Sequence, residues 1–203
     1  MGLFKPNVEK MKEQKDFPGL LKALRSRDET VQEEAREALG AFSSRDDLNA
    51  IINLTAEEEL RNGNFAGMVF TILKKTATEA TISDLLAAIL KHVCVEDINT
   101  GHGRAFCDAC VDLTTSLKQE SISYGTWVQL AMFAMSPQRS MPHTSQRTEI
   151  WFVHSFVRLA IVQILEHFQV KESISYLERG VSQEKDYVTR KQMMAAIKRL
   201  EMG

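Results

Sequence analysis

The segment that decides the fold spans residues 16–42 and reads DFPGLLKALRSRDETVQEEAREALGAF. Its first apolar stripe contains Phe17, Leu20 and Leu24. These residues are three and four positions apart, which places them on one face of a helix. Polar residues then interrupt the pattern, and a second stripe starts at Val31. The segment therefore predicts two consecutive amphipathic helices joined by a short turn.

Polar and special residues mark the ends of these two helices. Asp16 and Asp28 stand just before the two stripes, where an aspartate side chain caps the first backbone N–H groups of a helix. Pro18 falls in the first turn of the first helix, where its missing N–H costs no hydrogen bond. Gly40 lies near the end of the second stripe, as expected at a helix C terminus.

The same helical spacing recurs through most of the chain, whereas sustained strand-like alternation is absent from the sequence. Further apolar stripes start at Leu48, Met68, Ile82, Phe106, Trp127, Ile150, Ile174 and Val188. The stripe over Ile150–Phe168 predicts one helix. The glycine-containing segment Val95–Arg104 and the proline-containing segment Ser136–Thr148 are predicted to be loops. The sequence thus predicts an all-α chain of about ten helices in antiparallel pairs.

Composition narrows the class of protein. The chain has 203 residues, of which 44% are hydrophobic and 26% charged, and its net charge is −2. These values exclude collagen-like and globally disordered chains. Three cysteines do not form a disulfide framework, and the balanced charge gives no reason to expect a general binder of polyanions. We expect residues 1–203 to form a single helical domain.

The most apolar segment, Ile150–Phe168, is interpreted as a buried helix of a soluble protein. Arg158 lies at its centre, and a central arginine costs about 2.5–3.5 kcal/mol on membrane-insertion scales. The N terminus shows neither a signal-peptide pattern nor a myristoylation motif. We therefore expect a cytoplasmic protein with reduced thiols and no membrane partner.

The second helix of the opening segment carries the pattern DxxVxxxAxxALGxF over residues 28–42, with small residues at Ala35 and Ala38. Small residues at these positions let two helices cross closely. The pattern resembles the HEAT-repeat consensus, particularly the short HEAT-like, PBS-lyase-type repeats of bacterial and archaeal proteins. The resemblance covers residues 3–42 and returns at 171–200, where Gln192 replaces the expected small residue.

The resemblance implies an α–α superhelix, a HEAT-like solenoid of about five antiparallel helix pairs whose neighbours cover one another's apolar faces. Residues 47–168 keep the helix pairing but not the repeat signature. For that segment a compact irregular helical bundle is the alternative.

Cys94, His102, Cys107 and Cys110 are the candidate metal ligands, since thiolate and imidazole suit Zn²⁺ and the Cys107–Cys110 spacing is usable. The spacing from Cys94 to the other candidates matches no zinc pattern, and Cys110 falls on an apolar helix stripe. Buried core thiols are therefore the favoured interpretation, and we expect no metal and no cofactor.

HEAT-like folds also include enzymes and DNA-binding proteins. A di-iron hydroxylase of this fold uses His-Glu dipeptides, and none of the five histidines here precedes a glutamate. A bilin lyase-like activity is compatible with the first repeat but is not selected by it. DNA-binding relatives use a cationic groove, which a net charge of −2 does not suggest. A C-terminal basic cluster is interpreted as a solvated helix face: Lys185, Arg190, Lys191, Lys198 and Arg199.

Five residues are candidates for binding a partner. Arg139, His143 and Arg147 lie in the second predicted loop and can contact an anionic ligand or an acidic partner surface. His154 and Arg158 are i, i+4 neighbours and share one helix stripe, the alternative being a structural hydrogen bond to a neighbouring helix. The resemblance implies that second helices line a concave face. We expect a non-enzymatic scaffold or adaptor that binds another protein there; a metal-dependent or bilin lyase-like enzyme and a DNA-binding protein are the alternatives.

Overall fold

The structure is a computed structural model that describes residues 6–94, 99–135, 138–142 and 148–203. Within these ranges it contains eleven α-helices and one antiparallel hairpin. The helices are α1 (Val8–Glu13), α2 (Phe17–Ala23), α3 (Glu29–Gly40), α4 (Arg45–Asn62), α5 (Ala66–Leu73), α6 (Glu79–Ala88), α7 (Thr100–Thr114), α8 (Tyr124–Met135), α9 (Ser155–His167), α10 (Ile174–Gln183) and α11 (Tyr187–Met202). The hairpin strands are β1 (Gln138–Pro142) and β2 (Thr148–Phe152). A π-helical turn over Ile89–Val93 extends α6.

The predicted opening helices and their caps are confirmed. The Asp16 side chain accepts a hydrogen bond from the backbone N–H of Gly19 at 3.0 Å. The Asp28 side chain accepts from the N–H of Thr30 at 2.9 Å. These bonds satisfy N–H groups that have no partner within their own helix, so each carboxylate fixes the start of a helix.

The helices pack in two layers that follow chain order. Helices α3, α5, α7, α9 and α11 each contact the next member of the series, and we call them the second-helix layer. Helices α2, α4, α6, α8 and α10 do the same and form the first-helix layer. Contacts between α2 and α3, α4 and α5, α8 and α9, and α10 and α11 join the layers. The core lies between the two layers. Apart from the hairpin of β1 and β2, the regular structure of the described residues is helical, so the all-α prediction is confirmed.

One element boundary differs from the prediction at the first predicted loop. Helix α7 begins at Thr100, inside the segment predicted as a loop over Val95–Arg104. The Asn99 side chain caps it by accepting from the N–H of Gly101 at 3.1 Å. The glycines therefore lie in the first helical turn, where a strong cap offsets their low helix propensity. Residues 95–98 lie outside the described ranges.

The second predicted loop and the helix after it are also corrected. Strands β1 and β2 pair antiparallel, with Arg139 opposite Trp151, so residues 138–142 are not a loop. The predicted Ile150–Phe168 helix is shorter, because α9 begins at Ser155 and β2 occupies its first residues. Aromatic and β-branched residues favour strands, and a short apolar run does not distinguish strand from helix by periodicity. No helix within the described ranges is long and apolar enough to cross a membrane.

The crossing of α3 with its neighbours gives a first prediction. Ala35 is fully buried in α3. Replacing it with leucine overfills a packed site and is expected to lower the free energy of unfolding by about 1–3 kcal/mol, measured by urea denaturation. The control is Ala87→Leu, which makes the same change at an exposed position of α6 and should leave stability nearly unchanged. Equal stability of both variants would contradict a close helix crossing at Ala35.

Candidate partner-binding surface

Arg158, predicted on a possible binding stripe, is an internal ion-pair residue. Only 2% of Arg158 and 5% of Glu184 are exposed to solvent. The Arg158 Nε donates to the Glu184 carboxylate at 2.9 Å, and Nη1 donates to the Val153 carbonyl at 2.6 Å. Glu184 also accepts from the N–H of Asp186 at 2.8 Å. The network joins the start of α9 to the turn between α10 and α11. Of the two roles that the sequence left open for Arg158, the structural hydrogen bond to a neighbouring element is the one supported.

Of the other four predicted binding residues, His154 and Arg139 lie within the described ranges. His154 directly precedes α9, and its ring stacks on the Phe156 ring with centroids 5.2 Å apart. Arg139 lies in β1, where the main chain alone is described. His143 and Arg147 lie outside the described ranges. Binding by these residues stays a prediction.

The candidate metal ligands do not assemble into a site. Cys94, Cys107 and Cys110 are buried, and burial raises the pKa of Cys94 to about 12 and that of the other two thiols further. His102 donates from Nδ1 to the Leu60 carbonyl at 3.0 Å and so caps the C-terminal end of α4. Over the part of the chain that the structure describes, no three His, Cys, Asp or Glu residues converge in a metal-binding arrangement. These thiols are therefore protonated core residues near neutral pH.

A groove on the second-helix layer lies between α7, α9 and α11, and we call it the α7–α9–α11 groove. Its volume is about 230 Å³. It is lined by Arg104, Asp108, Phe156, Leu159, Ala160, Gln163, Val188 and Gln192. The apolar side chains come from α9 and α11, and the charged pair comes from α7. The predicted residue His154 stacks on the groove residue Phe156.

The charged wall of this groove is made by Arg104 and Asp108, which lie one turn apart on α7 and attract each other without forming a salt bridge. Among the described residues, neither Arg104 nor Asp108 has a salt-bridge partner within 4.0 Å. Partial burial raises the pKa of Asp108, and the more distant Arg104 charge opposes this increase only in part. A carboxylate in such surroundings gains stabilisation from a cation or a hydrogen-bond donor that a bound molecule brings.

A second groove on the same layer lies between α3 and α5 and has a volume of about 580 Å³. It is lined by Glu33, Arg36, Glu37, Gly40, Ala41, Thr71, Ile72 and Lys75. Arg36 pairs with Glu33 at 3.2 Å, and both side chains are largely exposed. An exposed pair of this kind contributes little to stability and exchanges partners easily. The second-helix layer therefore carries two recesses, each lined by both charged and apolar side chains.

A cleft of about 440 Å³ on the other side of the molecule is organised differently. It lies mainly between α2 and α4, and its Arg25 guanidinium carbon sits 4.2 Å from the Phe65 ring centroid. Arg25 also donates to the Glu58 carboxylate, which accepts from Asn62 at 2.8 Å. The Asn62 amide, and then Arg25, lower the pKa of Glu58. Arg25 and Glu58 therefore satisfy each other's charges in this cleft.

No sequence pattern marks the α7–α9–α11 groove, because its lining comes from three helices far apart in the chain. Val188, which the sequence placed on the apolar stripe of the last helix, is 57% exposed and lines this groove. No protein-family model, no curated protein and no solved structure matches this chain. Its function is therefore inferred from the surface itself.

Proposed function

We propose that this chain is a HEAT-like α-solenoid that serves as a non-enzymatic scaffold and binds a partner protein along its second-helix layer. The serial packing of each layer supports the solenoid, because the helices of a layer contact the next helix of that layer in chain order. The capped first pair, with buried Ala35 and Ala38, fits the same architecture.

The observation that carries the proposal is the pair of grooves on one layer. Both combine apolar walls with charged groups, and Arg104 and Asp108 have no salt bridge within the described residues. Protein-binding surfaces have apolar contacts surrounded by polar groups that a partner can satisfy. Shallow recesses spread over several helices suit a protein segment better than a small molecule, which needs a deeper enclosure.

Affinity capture with paired surface variants tests this proposal. The test variant combines Lys75→Glu and Arg104→Glu, which reverse exposed charges at the two grooves. The control, Arg179→Glu, reverses an exposed charge on α10 in the first-helix layer. We expect the wild-type protein and the control to retain the same partner from a lysate and the test variant to lose it, with unchanged circular dichroism. Equal capture by all three proteins, or no capture by the wild type, overturns the proposal.

A further inference from the structure

The outer face of α11 concentrates exposed apolar side chains. Among the described residues, six large hydrophobic side chains are exposed, and four of them lie on α11. These four are Tyr187, Val188, Met194 and Met202, with exposures between 48% and 79%. Single exposed hydrophobic residues are ordinary, but a concentration on one helix indicates a surface with a binding role.

Helical geometry arranges three of these residues in one line. The buried side of α11 consists of Thr189, Met193, Ala196 and Leu200. The opposite side, which we call the α11 stripe, carries Tyr187, Lys191, Met194, Lys198 and Met202, at spacings of three or four residues. Apolar and basic side chains therefore alternate along the whole exposed length of the helix.

The basic side chains of the stripe are available to a partner. Residues 185–203 contain five basic and two acidic side chains, whereas the whole chain has a net charge of −2. Arg199 pairs with Glu166 of α9, and the Arg190 guanidinium carbon lies 6.0 Å from the Tyr187 ring centroid. Within the described residues, Lys191 and Lys198 have no salt-bridge partner. Their positive charge is therefore presented to solvent beside Met194.

We propose that the α11 stripe binds an acidic amphipathic helix of a partner protein. Carboxylates flanking the apolar side of such a helix would pair with Lys191 and Lys198, and its apolar residues would pack on Tyr187, Met194 and Met202. Methionine is adaptable enough to accept several apolar shapes. A partner helix with anchors every seven or eight residues places them about 10–12 Å apart, which equals the spacing of the three apolar residues on α11.

The pattern favours a protein helix over a lipid surface. A helix that lies in a membrane interface needs a broad, continuous apolar side. On α11 the broad apolar side is already buried against the rest of the chain, and the outer side interposes a lysine between each pair of apolar residues. The inference deepens the proposed function and rests on it, because α11 is the last helix of the second-helix layer.

The test uses the full chain and a synthetic probe. The probe is a fluorescent amphipathic helix of leucine, alanine and glutamate, and its matched control replaces every glutamate with lysine. We expect saturable anisotropy changes with the acidic probe alone, weakening as salt rises. The variant Lys191→Glu/Lys198→Glu should reduce the affinity about tenfold or more. Met194→Ser should also weaken binding without changing the charge.

Control proteins and competing ligands make the result decisive. Lys118→Glu/Lys171→Glu reverses two exposed charges outside α11 and should bind the acidic probe like the wild type. Equal binding of both probes, or equal loss in both double variants, overturns the inference. So does preferential binding to anionic phospholipid vesicles or duplex DNA, or self-association in sedimentation that α11 substitutions abolish. Partner capture that survives Lys191→Glu/Lys198→Glu overturns the α11 assignment alone, whereas failed capture by the wild type overturns the proposed function.

Discussion

Replacing Arg158 with methionine is expected to lower the free energy of unfolding by about 3–5 kcal/mol, because Glu184 is then left as a buried, unpaired charge. Glu184 is 5% exposed and receives its charged hydrogen bonds from Arg158. The Val153 carbonyl also loses its donor, Nη1 of Arg158. Glu184→Met should have a similar effect. Urea denaturation of each variant measures the loss.

The double variant and a surface control separate charge burial from general damage. Arg158→Met/Glu184→Met removes both charges and should be less destabilised than the sum of the single variants. Arg199→Met breaks the ion pair with Glu166, in which the Arg199 side chain is half exposed, and should cost about 1 kcal/mol or less. Additive effects in the double variant would mean that the two side chains do not act as a pair.

Glu59→Ala is expected to destabilise the chain by about 3 kcal/mol or more, since each unsatisfied buried N–H costs about 1–3 kcal/mol. The Glu59 carboxylate, 1% exposed, accepts from the backbone N–H groups of Asn64, Phe65 and Ala66 at 2.9, 2.6 and 2.7 Å. It thereby caps α5, whose N-cap residue Phe65 provides no side-chain hydrogen bond.

The control for Glu59 lies two residues earlier on the same helix. Glu57→Ala removes an exposed carboxylate of α4 and should leave the thermal midpoint nearly unchanged. Glu59→Gln should fall between the two, because the amide keeps one acceptor oxygen but turns a donor towards the same N–H groups. A midpoint for Glu59→Ala equal to that of Glu57→Ala would contradict the capping role.

The sequence predicts the features that depend on near neighbours. The caps at Asp16 and Asp28 are confirmed because each carboxylate bonds to N–H groups two or three residues away. The Arg158–Glu184 pair joins residues 26 positions apart, so no local sequence pattern predicts it. Strand β2 was missed because its apolar residues satisfy helix and strand spacing equally over so short a run.

The candidate surface was predictable to a smaller extent. The resemblance implied that second helices line a binding face, which stays a prediction. The structure stacks His154, one of the predicted residues, on Phe156 of the α7–α9–α11 groove. The sequence left two roles open for Arg158, because an arginine on an apolar helix has the same pattern whether it faces a partner or a buried carboxylate, and the structure favours the structural one. The groove itself depends on how three helices meet, which stripe spacing does not encode.

The burial of Cys94, Cys107 and Cys110 makes their alkylation a measure of local unfolding. An alkylating reagent such as iodoacetamide reacts with the thiolate and must reach the sulfur atom. In the folded chain the sulfur atoms are buried, and the raised pKa keeps the thiols protonated. Modification should therefore proceed only as often as the middle of the chain opens. Counting alkyl groups by mass spectrometry over time would then report the population of the open form when reclosing is faster than alkylation, and the opening rate when alkylation is faster.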